Sequence, residues 1–187
     1  MLLGGSMPDT DSQLLSRIRN GDERALEEIF RAHYAALVAY VERLVRSPQV
    51  AEELVQDVFL KFWRKRAELG PIETLKTYLF RAARNRALNY LRREKLERRW
   101  REAAEVESRQ QDPPDAELTQ SELAAVVAEA IDRLPTRCRE IFLLSREGGL
   151  TYFEIAQTLG LSVKTVETQM GRALRALRLA VERLGRA

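Results

Sequence analysis

TLKTYLFRAARNRALNYLRREKLERRWR, residues 74–101, contains no Gly or Pro. Ala, Leu and Arg dominate the segment, so we predict one long helix. From Leu75 to Arg101 it carries ten Lys or Arg against two Glu. At about 100° per residue, one strip of the helix collects Arg81, Arg84, Arg92, Lys95 and Arg99. The roughly opposite side is predicted to face a core and contains Leu75, Tyr78, Leu79 and Ala82.

Two interpretations fit this basic strip. In many proteins such a strip is simply a solvated helix face. Here the charge is concentrated in one segment, and Asn85 and Asn89 lie at the border of the strip, within reach of a base edge. Cations interleaved with amides and aromatic side chains favour a polyphosphate backbone with bases to stack or hydrogen-bond. The strip alone leaves both interpretations open.

Composition narrows the fold class. The chain has 187 residues, enough for one domain or two small ones, and 45% of them are apolar. No run of β-branched residues with period two appears, which predicts an all-α fold.

Residues 102–132 carry nine acids and one Arg, whereas residues 133–187 carry ten Lys or Arg against five acids. Two basic surfaces separated by an acidic segment predict two nucleic-acid contacts.

Cys138 and His33 are each the only residue of their type, which excludes an intramolecular disulfide and a metal site rich in Cys or His. We expect both to be packing or surface residues. We therefore expect no catalytic residues, no metal and no cofactor. The chain has no apolar run of 18 residues and no signal-peptide core near its start, so we expect a cytoplasmic protein without membrane insertion.

Helical periodicity and capping residues divide the chain into two small helical domains. We expect residues 1–10 to be a disordered extension and residues 11–107 to form an N-terminal domain of helices that ends with the basic one. Residues 108–117, SRQQDPPDAE, lack large apolar side chains and are predicted to be a flexible acidic linker. Residues 118–187 then form the C-terminal domain.

The C-terminal domain contains a helix-turn-helix pattern. Thr151 and Glu154 are spaced as a capping box for a short helix, Gly160 ends that helix, and Ser162 caps the next. From Val163 to Leu184, apolar residues recur every three or four positions and leave small polar and basic side chains facing outward. This is typical of a helix that reads duplex DNA, although a helical hairpin in a solenoid looks similar. No repeat period supports a solenoid.

With these segments in order, the chain resembles the bacterial RNA polymerase sigma factors, specifically the small two-domain extracytoplasmic-function (ECF) group. AEELVQDVFLKFWRKR (residues 51–66) is similar to the helix that binds core polymerase. TYLFRAARNRALNYLRR (residues 77–93) is similar to the helix that melts the promoter and reads the −10 element. LPTRCREIFLLSREGGLTYFEIAQTLGLSVKTVETQMGRALRALR (residues 134–178) is similar to the domain that reads the −35 element. The resemblance implies a transcription initiation factor that directs core polymerase to promoters and helps melt them.

The resemblance also implies partners and residue roles. The partners would be core RNA polymerase (the clamp helices of its largest subunit and its flap region), promoter DNA and an anti-sigma factor. The positions that match the clamp-binding helix are Glu53, Gln56, Asp57, Phe59, Lys61 and Trp63. The acidic linker matches a segment that lies near the nascent RNA in this family.

The DNA-reading positions fall into two sets. The loop that matches the family's pocket for a flipped −10 base comprises Leu69, Gly70, Pro71, Ile72, Glu73 and Thr74. Asn85 matches a neighbouring contact, and the basic strip adds Arg81, Arg84 and Arg92 to the −10 set. The −35 set on the recognition helix comprises Lys164, Thr165, Glu167, Thr168, Arg172 and Arg175.

The recognition helix departs from the family at two positions, and two other functions remain as alternatives. Glu167 stands where many relatives have Arg, and Gly171 stands where a larger side chain is common, so no relative's −35 sequence transfers to this chain. One rival is a helix-turn-helix regulator that binds duplex DNA without polymerase. The other is an enzyme such as a helical nuclease, which needs clustered carboxylates or histidines, whereas His33 is solitary.

Overall fold

The computed structural model describes residues 9–72, 74–104 and 121–184, which are helical and contain no strand, as predicted. The elements are α1 (Asp9–Arg19), α2 (Glu23–Val45), α3 (Pro48–Arg64), a 3₁₀ turn (Arg66–Glu68), α4 (Leu75–Ala104), α5 (Ser121–Asp132), α6 (Thr136–Arg146), α7 (Tyr152–Leu159) and α8 (Val163–Leu184). The predicted linker, 108–117, lies outside the described residues, as does the predicted extension up to residue 8. Helix α1 begins at Asp9, two residues before the boundary we predicted. Within the described ranges, no helix has the length and apolar character needed to cross a membrane.

Polar side chains set the helix starts. The Asp22 carboxylate accepts from the backbone N–H groups of Arg24 and Ala25 at the start of α2. Ser47 caps α3 in the same way, with Pro48 at the first helical position. Thr74 Oγ1 accepts from the Thr77 N–H at 3.0 Å, so α4 begins where the sequence predicts. Each cap satisfies a backbone donor that the helix itself leaves free.

Helices α1 to α4 form an N-terminal bundle in which α2, α3 and α4 pack against one another. The apolar residues of α2 face this bundle, since Ile29, Leu37 and Tyr40 are fully buried. Phe62 of α3 lies beside the Tyr78 ring at 5.7 Å between centroids. These contacts hold α3 and α4 side by side.

Helices α5 to α8 form a C-terminal bundle around α8. Ile141, Ile155 and Val166 are fully buried, one from each of α6, α7 and α8. Cys138 is also buried, and its Sγ lies 2.7 Å from Gln169 Oε1. The expectation that Cys138 is a packing residue is confirmed.

The two bundles pack against each other through α4 and α7, with a smaller contact between α2 and α6, and one hydrophobic core runs through both. This packing explains why α4 buries more than its predicted face. Phe80 and Ala83 lie beside that face and are fully buried, whereas Tyr78 and Ala82 are only half-buried. Helix α4 is therefore covered by the other N-terminal helices on one side and by the C-terminal bundle on another.

Candidate polymerase and DNA interfaces

Helix α3 presents a mainly polar face to solvent because most of its apolar residues turn inward. The buried set comprises Ala51, Leu54, Val55, Val58, Phe59 and Phe62. Glu53, Gln56, Asp57 and Lys61 are exposed on the opposite side. Four of the six positions that the sequence assigned to polymerase binding therefore project from one helix face.

The other two predicted positions have structural roles. Phe59 is buried in the bundle, with its ring 4.9 Å from that of Phe30. Trp63 is half-buried, and the Arg66 guanidinium lies over its ring at 4.3 Å. Phe59 thus packs in the core beneath the exposed face of α3, and the indole of Trp63 lies at one end of that face.

The exposed face of α3 is tied to α4 by an ion pair. Arg86 of α4 pairs with the Asp57 carboxylate, and about half of each side chain is exposed. Asp57 therefore has a partner within the fold, in addition to its predicted role in binding polymerase. Because Arg86 lies 29 positions after Asp57, no local sequence pattern indicates that the two residues pair.

A groove of about 760 Å³ runs between α3 and α4. Its lining includes Asp57, Leu60, Lys61, Arg64, Arg81, Asn85, Arg86 and Asn89. The groove brings together residues predicted for polymerase binding and residues predicted for the −10 element. Leu60 was missed by the sequence reasoning, although it lies three residues after Asp57 on the polar face and is 53% exposed. A leucine at that spacing, on a helix face that is otherwise polar, is the sequence feature that could have identified Leu60 as a surface residue of the groove.

The loop between the 3₁₀ turn and α4 is fixed at both ends. Leu69 and Ile72 are half-buried against the core, and Gly70 and Pro71 are exposed. Arg19 donates to the Leu69 carbonyl at 3.1 Å, while the Leu75 N–H donates to Asp11 Oδ2 at 2.9 Å. Glu73 lies outside the described residues. An added Cβ at Gly70 would meet nothing within 4 Å, so this part of the loop is open to a partner.

The predicted −10 residues of α4 divide into two groups. Asn85 is exposed at the groove, and Arg92 is exposed and donates to Asn89 Oδ1 at 3.3 Å. Arg81 and Arg84 instead bind the C-terminal bundle: Arg81 donates to the Gln157 carbonyl at 2.6 Å, and Arg84 Nε donates to Glu140 Oε1 at 2.5 Å. The basic strip is therefore part open surface and part internal interface.

Helices α7 and α8 form the predicted helix-turn-helix. The Thr151–Glu154 capping box is present, and Gly160 ends α7 with φ +65°. Ser162 Oγ accepts from the Thr165 N–H at 3.1 Å and so caps α8. These caps fix the angle at which the recognition helix leaves the turn.

The outward face of α8 is open. Lys164, Glu167, Thr168, Arg172 and Arg175 are exposed, and Thr165 is half-buried. Thr168 Oγ1 donates to the Lys164 carbonyl at 2.9 Å, which leaves its lone pairs for a partner. An added Cβ at Gly171 would meet nothing within 4 Å, so the centre of this face is recessed.

Burial shifts the pKa values of Tyr40, Tyr78 and His33 in the direction that favours the neutral form of each. Burial raises the pKa of Tyr40, and the nearby Glu140 raises it further. Burial also raises the pKa of Tyr78 and lowers the pKa of His33. All three are therefore uncharged at neutral pH, and His33 is a packing residue as expected.

Two family models match the chain. The model of sigma-70 region 2 matches residues 29–97, which include α3 and most of α4. The model of sigma-70 region 4 matches residues 124–177, which include the helix-turn-helix.

Curated relatives match over most of their length. The ECF RNA polymerase sigma-E factor of Haemophilus influenzae is 30% identical over 173 residues, which cover 88% of this chain and 91% of that protein. The RNA polymerase sigma factor CnrH of Cupriavidus metallidurans is 30% identical over 176 residues, with the same coverage. A solved structure of CnrH in complex with the cytosolic domain of CnrY matches with a TM-score of 0.69 at 28% identity, covering 93% of this chain and 98% of that one.

Proposed function

The chain belongs to the ECF group of RNA polymerase sigma factors and is a transcription initiation factor, and we propose that it divides this work among three surfaces. The exposed face of α3 binds core RNA polymerase. The groove side of α4, with Asn85 and Arg92 and the loop of residues 69–74, captures the opened −10 strand. The outward face of α8 reads the −35 duplex.

The observation that carries this proposal is the groove between α3 and α4. It places Asp57 and Lys61 on one wall and Arg81 and Asn85 on the other. Polymerase bound to the first wall would therefore deliver opened DNA directly to the second. A regulator that binds only duplex DNA has no use for such a groove.

The mechanism requires no chemistry of the chain's own. Stacking or pocketing a flipped base contributes about 1–3 kcal/mol, which offsets the few kcal/mol lost when a base leaves the duplex. The recognition helix adds phosphate contacts that position it and base contacts that give sequence. Attachment to one polymerase makes the two weak DNA contacts act together through effective concentration.

We place this action inside the cell, where core RNA polymerase works. A structural relative is solved with a bound cytosolic domain of CnrY. We propose by analogy that an anti-sigma factor controls this chain as well.

Run-off transcription with purified core polymerase on genomic fragments tests the proposed function. We expect discrete transcripts that depend on added chain, whose 5′ ends report the promoters. Transcription that is the same with and without the chain, across the genome, contradicts the proposal.

Changing Gln56 and Asp57 together to Ala should weaken binding to core polymerase by about 1–3 kcal/mol, since hydrogen bonds to charged partners are worth roughly this much. Both side chains are exposed, so the helical content should not change. Fluorescence anisotropy of labelled protein titrated with core polymerase measures the effect.

A matched control removes one amide and one carboxylate elsewhere on the same bundle. Gln13 and Glu27 are exposed on α1 and α2, and their double change to Ala should leave polymerase affinity as it is in the wild type. Equal losses in the two double variants would mean that net charge, rather than the α3 face, governs binding.

A further inference from the structure

The outward face of α8 carries one acid among cations. Glu167 is the fifth residue of α8 and is exposed, as are the cations Lys164, Arg172 and Arg175 of the same face. In the part of the chain that the structure describes, the Glu167 carboxylate takes part in no hydrogen bond or salt bridge. A carboxylate repels DNA phosphates, so this acid weakens binding to duplex unless it accepts a hydrogen bond from the DNA.

Gly171 is a second locally unfavourable residue of this face. Its backbone has no positive φ, and a Cβ added there would meet nothing within 4 Å. Neither backbone conformation nor packing therefore requires a glycine at this position. Inside a helix only proline is less favourable than glycine, because glycine loses the most backbone entropy on folding. The fold thus explains neither Glu167 nor Gly171.

The two residues are neighbours on the helix surface. Residues four apart lie on successive turns of one side of a helix, about 6 Å apart along its axis. The Glu167 carboxylate therefore lies at the edge of the recess that the missing side chain of Gly171 leaves open. This arrangement offers a hydrogen-bond acceptor beside room for a flat group, so a group that fits it has a donor at its edge.

Among the base edges of the major groove, that of cytosine fits this arrangement best. The N-terminal part of a recognition helix faces these edges. Cytosine presents its N4 amino group as a donor, whereas guanine presents the acceptors O6 and N7, and thymine presents the acceptor O4. A carboxylate attracts the amino group and repels the acceptors. Adenine presents its N6 donor beside the acceptor N7, so its edge is favourable only in part.

We propose that Glu167 selects cytosine at one position of the −35 element. Its carboxylate accepts from the N4 amino group, and the recess at Gly171 admits the base edge. The acid lowers the affinity of α8 for DNA in general and raises its discrimination between sequences, since it rejects bases that present only acceptors. This inference rests on the proposed −35 role of α8.

Selection from a DNA library by the holoenzyme tests the proposal. The library consists of a promoter found by run-off transcription with its −35 element randomised, and DNA bound by core polymerase and the full chain is sequenced. We expect the wild type to prefer cytosine over guanine at one position by about fivefold or more. Glu167→Arg should prefer guanine at that same position, because arginine donates to both O6 and N7. Glu167→Gln should shift the preference to adenine, and preferences at the other positions should not change.

Glu182→Arg is the matched control for this switch. Glu182 is also an exposed acid of α8, and the change alters the net charge by the same amount. It lies 15 residues after Glu167, or about 22 Å along the helix. The control should select the same bases as the wild type. An equal change of preference in both variants would show that the charge of α8, rather than a contact of Glu167, sets the selection, and would overturn the proposal.

Glu167→Ala should separate affinity from discrimination. Without the carboxylate, both the repulsion of phosphates and the acceptor for cytosine are lost. We expect binding to a −35 element with guanine at the selected position to strengthen, while the preference for cytosine falls to nearly none. A holoenzyme titration on two duplexes that differ only at that base pair measures both effects. Weaker binding to both duplexes by the same factor would contradict the proposal.

Gly171→Leu tests the recess. The fold leaves room for the side chain, and leucine favours a helix more than glycine does, so the melting temperature should not fall. The added side chain fills the place of the base edge, so the preference for cytosine should drop by about fivefold. A preference equal to that of the wild type would show that the recess admits no base and would overturn its assigned role.

The same selection distinguishes failure of this inference from failure of the proposed function. If the wild-type holoenzyme shows no preference at any −35 position, the proposed −35 role of α8 is wrong. If preferences exist but none changes in Glu167→Arg, that role stands and the selection of cytosine by Glu167 is wrong. Leu174, three residues after Gly171, is 52% exposed. A loss in Glu167→Arg that is equal for every −35 sequence would assign this side of α8 to a protein partner and overturn the proposal.

Discussion

Arg172→Ala should lower transcription from a duplex promoter roughly five- to 150-fold. A side chain that reads a base contributes about 1–3 kcal/mol to the free energy of DNA binding, and this contribution is lost in the variant. The side chain is exposed on the outward face of α8, one turn from Thr168. A pre-melted bubble at the −10 element should not rescue the loss, because the bubble leaves the −35 contact to duplex unchanged. Run-off transcription on duplex and bubble templates measures both effects. Arg146→Ala, an exposed Arg of the same bundle outside the recognition helix, should behave as the wild type.

Asn85→Ala provides the opposite pattern. Asn85 lies in the groove between α3 and α4, where opened strand is proposed to bind, so its loss should slow open-complex formation and be partly rescued by the bubble. Rescue of Arg172→Ala by the bubble alone would falsify the division of labour. An Asn85→Ala defect of equal size on both templates would do so as well.

Much of this fold follows from local patterns. The capping residues Asp22, Ser47, Thr74 and Ser162 each mark the start of a helix in the sequence, and each accepts a backbone hydrogen bond there. Such caps act within three residues, so a single sequence contains all the information that they need. The helix-turn-helix was predictable for the same reason.

The contact between the bundles was not predictable in this way. Periodicity assigns one apolar face to a helix, but α4 is covered on more than one side, and Phe80 lies off the predicted face. Arg84 meets Glu140 across 56 positions of sequence. From the sequence alone, an arginine that binds a distant carboxylate cannot be distinguished from one that binds a phosphate of DNA. The sequence therefore assigned Arg81 and Arg84 to the −10 set, and only the structure shows their partners in the C-terminal bundle.

The interface also gives Phe80 a role in both bundles. Its side chain is fully buried, with its ring tilted against that of Tyr40 of α2 and in close contact with Gly148 of the C-terminal bundle. Phe80→Ala should lower the free energy of unfolding by about 3–5 kcal/mol, because it removes buried aromatic area and leaves a cavity that rigid neighbours cannot fill. This is a large part of the roughly 5–15 kcal/mol that stabilises a typical domain.

Urea unfolding followed by circular dichroism measures this loss, and Phe153→Ala is the matched control. Phe153 is 57% exposed on α7, so the same chemical change there should cost no more than about 0.5 kcal/mol. Hydrogen exchange locates the effect. Since Phe80 packs on both bundles, amides of α6 as well as those of α2 should exchange faster in Phe80→Ala. A loss confined to α2 and α4, with α6 protected as in the wild type, would show that the two bundles do not share a core in solution.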